Sequence, residues 1–155
     1  MAPNQEMDVE VLFDDRQVIM AGARSKWARR RRVALRDLMG ERWFVPPLDS
    51  PIGTHISECF RAADLEPPRA HVASFSIPLC LRMVEKESFL TMLPISMLSH
   101  GEHLRLRLLR VDAPHIPRPT GIVTVKNRTL GPLAQHFIAS ARELAKSLAN
   151  NVYGR

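Results

Sequence analysis

Val45-Pro46-Pro47-Leu48-Asp49-Ser50-Pro51-Ile52-Gly53-Thr54, with Val72-Ala73-Ser74-Phe75-Ser76-Ile77-Pro78 and Phe89-Leu90-Thr91-Met92-Leu93-Pro94-Ile95-Ser96, decides the fold. Each segment passes from a short apolar run to a serine or threonine that opens a helix. Pro51, Pro78 and Pro94 suit a first helical turn, where a missing N–H leaves nothing orphaned. Between these segments Ile52, Ile56, Cys59, Phe60 and Ala63 recur at helical spacing over 54–63, with His55, Glu58 and Arg61 facing away. Ile77, Cys80, Leu81 and Val84 mark a second helix that ends near Glu85 to Glu87. Strands at Trp43–Val45, Ala70–Ala73 and Phe89–Leu93 alternate with these helices, the signature of parallel crossover units with helices on the sheet faces. Crossovers bring parallel strand ends to one edge of a sheet, so the three hydroxyl-bearing ends should share a rim. An α/β fold keeps its small-molecule sites there, and the positive ends of helices suit a small anion such as a carboxylate. Capping alone accounts for any one serine; the convergence of three points to a ligand.

The flanks read less sharply. Val9–Phe13 and Gln17–Ala21 form two short strands around Asp14-Asp15-Arg16, as a hairpin or a bent strand pair. Leu35–Met39 gives a short helix stopped by Gly40. Leucine alternates with arginine from Leu104 to Val111, the pattern of a strand with one wet face, and Gly121–Val125 is a further strand. Leu130, Leu133, Phe137, Ala141, Leu144 and Leu148 lie at alternating spacings of three and four, which predicts a surface helix with one buried stripe. Only Met1–Met7 reads as unstructured.

At 155 residues, 45% hydrophobic and 25% charged, the chain is the size of a domain with a real core. No apolar run approaches the roughly 18 residues of a membrane span, and Met1–Glu10 is too polar for a signal peptide, so a cytoplasmic location is expected. Cys59 and Cys80 each fall inside an apolar pattern and read as buried thiols rather than a disulfide. Lys plus Arg outnumber Asp plus Glu by 22 to 16, and Arg29–Arg32 is a basic run. With no interleaved aromatics beyond Trp27 and no recognition motif, the run reads as a solvated face, with contact to nucleic acid or a protein as the alternatives. His55 with Cys59, and His100 with Glu102 and His103, are incomplete as zinc sites, so no metal is assigned. The nucleophile elbow, the dinucleotide and phosphate loops and the zincin helix are all missing. The expectation is therefore a non-enzyme, with no catalytic residue and no cofactor. Trp27, Trp43 and Phe75 serve either the core or ligand stacking.

Leu35-Arg36-Asp37-Leu38, then Glu41-Arg42-Trp43-Phe44-Val45-Pro46-Pro47, Phe60-Arg61-Ala62-Ala63-Asp64-Leu65-Glu66-Pro67-Pro68, and 89–96 together resemble the C-terminal effector-binding domain of LysR-type transcriptional regulators. The resemblance runs from about Val9 to Leu148. It implies an α/β, type 2 periplasmic-binding-protein-like fold, whose two subdomains hold a small effector in a cleft. Here 24–103 would be the complete second subdomain, and 1–23 with 104–155 a partial first one. By matched position, the effector site takes Ser50, Pro51, Gly53, Thr54, Ser74, Phe75, Ser76, Pro94, Ile95 and Ser96. The family binds DNA through a winged helix-turn-helix, which this sequence lacks, as it lacks the opening strand and helix of the effector domain. The implied role is sensing a small anionic or carboxylate-bearing metabolite and forming a homo-oligomer, a dimer foremost, and open sheet edges would favour self-association. A stand-alone solute-binding protein of the same fold, or a basic nucleic-acid-binding protein, are the alternatives.

Overall fold

A computed structural model describes residues 6–100, 105–114 and 116–152. In chain order the elements are β1 (Met7–Asp14), β2 (Gln17–Gly22), β3 (Val33–Ala34), β4 (Trp43–Val45), α1 (Pro51–Arg61), β5 (Ala70–Ala73), α2 (Ile77–Lys86), β6 (Leu90–Pro94), β7 (Leu106–Leu108), β8 (Val111–Asp112), β9 (Pro119–Val125) and α3 (Pro132–Val152). Short 3-10 turns occupy Lys26–Arg29, Leu35–Leu38 and Ile95–His100. The chain divides into two compact units, one from 16 to 116 and one formed by the segments up to 15 and from 117.

The larger unit is built on a five-stranded sheet in the order β5-β4-β6-β2-β7. β4 runs parallel to both β5 and β6, while β2 runs antiparallel to β6 and β7. One face carries Ile19, Ala21, Trp43, Val45, Leu90 and Met92 against Ile56, Cys59 and Phe60 of α1. Trp43 and Phe60 meet edge to face at 5.5 Å, and the Trp43 indole donates to the Leu38 carbonyl at 2.9 Å, so the buried N–H is satisfied. α2 packs on β2, β4 and β6 and buries Cys80 and Val84. Neither cysteine forms a disulfide, and burial pushes the Cys80 thiol up while its Sγ–H donates to the Thr91 hydroxyl at 3.3 Å. Helices thus cover the sheet as crossover topology requires.

Several flanking expectations are corrected. β1 and β2 are not a hairpin: β1 pairs with β9, whereas β2 pairs with β6 and β7. Val18–Gly22 are all buried, which suits a strand inside a sheet covered on both faces and not one arm of a hairpin. The expected subdomain borders, at 23/24 and 103/104, fall elsewhere by contact, because β2 and β7 pair inside the larger unit. Leu35–Met39 is a single 3-10 turn, Leu35–Leu38. The alternating run from Leu104 to Val111 is two short strands, β7 and β8, separated where Leu109 turns into the core, and β8 pairs in parallel with β3. Met7 belongs to β1 and not to an unstructured lead, and the rest of that expectation, at 1–5, lies outside the described residues. Leu104 lies outside the described residues.

The smaller unit pairs β1 with β9 antiparallel, Val9 opposite Val123, and packs α3 on β1. Arg142 of α3 donates to both carboxylate oxygens of Glu10, at 2.8 and 2.7 Å, which holds the Glu10 carboxyl below its ordinary range. The expected stripe of α3 is covered only in part, at Ala141 and Leu148. Leu133, Phe137 and Leu144 are 83%, 68% and 63% exposed, whereas Ala145 is buried and Ile138, Ala141 and Leu148 are half-buried. Small side chains at 141 and 145 let the helix approach a ribbon only two strands wide.

Candidate functional site

Because β4 lies between β5 and β6 and runs parallel to both, Val45, Ala73 and Pro94 end at one edge of the sheet. The three segments singled out in the sequence leave the sheet there: Ser50 caps α1, Ser76 caps α2, and Ile95 begins the 3-10 turn after β6. The Ser74 amide donates to the Val45 carbonyl at 3.2 Å, which ties two of the three segments together.

The hydroxyls at this rim divide by what they already do. Ser50 Oγ accepts from the Gly53 amide at 3.1 Å and donates to the Pro47 carbonyl at 2.5 Å, so its proton and one lone pair are taken by its own loop. Ser76 Oγ accepts from the Leu79 amide at 3.4 Å, and Ser74 Oγ accepts from the Ser76 amide at 3.1 Å. Both act as caps or turn formers, yet each keeps its own O–H for another partner. Thr54 is exposed on the first turn of α1. Gly53 and Ile95 are buried and contribute backbone only. Phe75 is 60% exposed and Pro51 is exposed, while Pro94 and Ser96 are half-buried.

Backbone donors at the rim are few. In α1 the Gly53 amide goes to Ser50 Oγ, the Thr54 amide to the Ser50 carbonyl at 2.7 Å, and Pro51 has none. Ile52 is left as the one first-turn amide without a partner among the described residues. In α2 the same reckoning leaves Ile77, since Pro78 has no N–H and the Cys80 amide donates to the Ser76 carbonyl at 2.9 Å. The rim therefore offers two unpaired amides at the positive ends of two helices, with the hydroxyls of Thr54, Ser74 and Ser76 beside them.

Other sequence candidates do not converge. No group of three metal-ligating side chains occurs among the described residues. Cys59 faces the core, and His55 Nδ1 lies 3.7 Å from Glu58. Gly101–Leu104, and with them Glu102 and His103, lie outside the described residues, as does the His100 side chain. Arg29–Arg32 are exposed, in keeping with a solvated face. No helix among the described residues is long and apolar enough to cross a membrane. Trp43 is core rather than a stacking platform. Sequence reading passed over the sheet interior near Gln17, whose signal was a polar residue opening an otherwise apolar strand.

A mixed sheet whose three parallel strands end beside helix N-termini along one edge is that of a type 2 periplasmic-binding-protein-like domain. The LysR substrate binding domain family matches residues 2–146, and the chain belongs to it. Among solved structures it is similar to the CcmR regulatory domain of Synechocystis PCC6803, solved in complex with 2-PG, at TM-score 0.75 and 16% identity, covering 95% of this chain and 72% of that one. It is similar also to HinK, a LysR family transcriptional regulator from Pseudomonas aeruginosa, at TM-score 0.74 and 22% identity, covering 96% of this chain and 52% of that one. The BenM effector binding domain with benzoate matches at TM-score 0.69 and 20% identity, over 96% of this chain and 66% of that one. The chain thus spans about half the length of HinK. Among curated proteins, no sequence matches significantly.

Proposed function

We propose that this chain is the effector-sensing and dimerising part of a LysR-type transcriptional regulator, and that a small carboxylate-bearing or otherwise anionic metabolite docks at the rim described above. The observation that carries the reading is the meeting of two capped helix N-termini and a strand end at one edge, with the Ile52 and Ile77 amides unpaired there. Thr54, Ser74 and Ser76 supply hydroxyl donors, Phe75 and Pro51 an apolar flank, and Ser50, Gly53, Pro94, Ile95 and Ser96 the backbone frame. The two units stand for the regulatory subdomains of the family, with 16–116 as the complete one. In the pattern of the family DNA contact belongs to a winged helix-turn-helix, and the place of action is the cytoplasm. Relatives of this fold bind anions: 2-PG in CcmR, shikimate in QuiR and benzoate in BenM. An effector acts by binding one conformation better than another, typically by about 1–3 kcal/mol.

The test is calorimetry of the 155-residue chain with 2-PG, shikimate and benzoate, followed by the Thr54→Ala/Ser76→Ala double variant. The tightest of the three anions should bind at least about tenfold more weakly to the variant, the loss expected for two donors to a charged group. Unchanged affinity removes the rim from the binding site.

A further inference from the structure

On the sheet face that α1 covers, the larger unit holds a pocket of about 290 Å³ that lies wholly within that unit. Its floor is apolar: Ile19 of β2, Cys59 of α1, Met92 of β6 and Leu109 are each no more than 5% exposed. Its lining also includes Arg16 and Arg110, both exposed. Neither guanidinium makes an ion pair or hydrogen bond among the described residues. The lining also includes Gln17, whose amide Oε1 and Nε2 are both buried without a hydrogen-bond partner. A dry, unpaired amide is rare in a folded protein, because donor and acceptor have each given up water for nothing. Pairing with Pro94 fixes the Gln17 backbone, so only its side chain is able to adjust.

We propose that this pocket is a small-molecule site in its own right, taking a compact apolar carboxylate. The hydrocarbon body fills the floor beside Met92, and the carboxylate meets Arg16 and Arg110, a geometry that guanidinium groups favour. Rotation of the Gln17 side chain brings its amide onto the same ligand and ends its unpaired state. The volume sits at the small end of ligand pockets, which start at about 300 Å³, and this restricts the ligand to roughly one ring or a short branched chain. Two unpaired cations select against an amine. Arg16 and Gln17 border the rim, Gln17 pairing with Pro94 and the Arg16 carbonyl accepting from the Ile95 amide at 2.8 Å, but the pocket's lining takes in none of Thr54, Ser74 and Ser76.

The experiment is NMR of the 155-residue chain labelled at its methionine methyls, titrated with cyclohexanecarboxylate and, as neutral counterpart, cyclohexylmethanol. The Met92 resonance is assigned through Met92→Leu. A saturable shift of the Met92 methyl is expected, with the acid binding about tenfold more tightly than the alcohol. Arg16→Gln/Arg110→Gln should erase that preference, and Ala113→Trp, which fills the pocket from its lining, should abolish the shift. Should the tryptophan variant fail to fold, the exposed arginine pair decides alone. Thr54→Ala/Ser76→Ala should leave the Met92 response intact, which separates this site from the rim. An unmoved Met92 methyl at about 10 mM acid, equal binding of acid and alcohol, or loss of the response in the rim variant overturns the proposal.

Discussion

At Gly53 the close approach of α1 to the loop before it leaves no room for a side chain. A Cβ there would lie 2.1 Å from the Pro47 carbonyl oxygen and 2.5 Å from the Leu48 Cα, both backbone atoms. The Gly53 amide is also the donor that Ser50 caps, so one position fixes both the packing and the start of the helix. Gly53→Ala is expected to lower stability by about 2–4 kcal/mol, well beyond an ordinary surface substitution, because backbone must move. Urea unfolding followed by circular dichroism checks this, and a loss under about 0.5 kcal/mol would contradict the geometry. The caps themselves were legible in the sequence, since Ser50-Pro51 and Ser76-Ile77-Pro78 announce helix starts by residue type alone. Which hydroxyl is already used was not legible. That Ser50 donates to Pro47 while Thr54 stands exposed depends on side-chain rotamers and loop geometry, which no spacing encodes.

At the scale of elements, the helices and strands of the crossover segment follow the sequence closely. Each has a pattern set by burial on a known side: α1 buries Ile56, Cys59 and Phe60, and β4 is wholly buried. The misreadings lie where a pattern has no single solution. β1 and β2 are separated by a polar break that looks like a turn, but their partners β9 and β6 come from far along the chain, which a local reading does not see. For α3, the spacing pattern takes in Ala141 and Leu148, which are half-buried, but it also takes in Leu133, Phe137 and Leu144, which are exposed, and it omits the buried Ala145, although closeness of approach is what brings a helix down on a narrow ribbon. The two stripes make opposite predictions. Phe137→Lys, on the exposed side, should change stability by no more than about 0.5 kcal/mol, while Ala145→Lys, which places a charge at a 5% exposed position, should cost several times that. Thermal unfolding of the two variants decides, and the reverse ranking would restore the stripe of larger residues.

For the whole molecule the open question is what covers the outer face of the β1–β9 ribbon. Val9, Val11, Val123 and Val125 are 48%, 60%, 54% and 51% exposed, and the pairing of Val9 with Val123 places them on the side opposite Glu10, which α3 engages. A ribbon of two strands is marginal in water, and both of its edges are unpaired among the described residues. A second copy is a self-complementary cover, since a two-fold pair sets the same apolar strip against itself. Burying each half-exposed valine gains about 1 kcal/mol, hence on the order of 8 kcal/mol for the eight in a pair. Lost translational and rotational freedom opposes this by about 4–15 kcal/mol. The balance predicts association that depends on concentration rather than an obligate dimer. Light scattering behind a sizing column should show the mass rising above the 17.6 kDa monomer as loading goes from about 1 μM to several hundred. Val9→Lys/Val123→Lys should return the chain to monomer with its circular dichroism unchanged, because both positions are exposed before association. A wild-type chain that stays monomeric across the range would mean that four half-exposed valines per copy do not outweigh the freedom lost on pairing, and the ribbon would then stand uncovered.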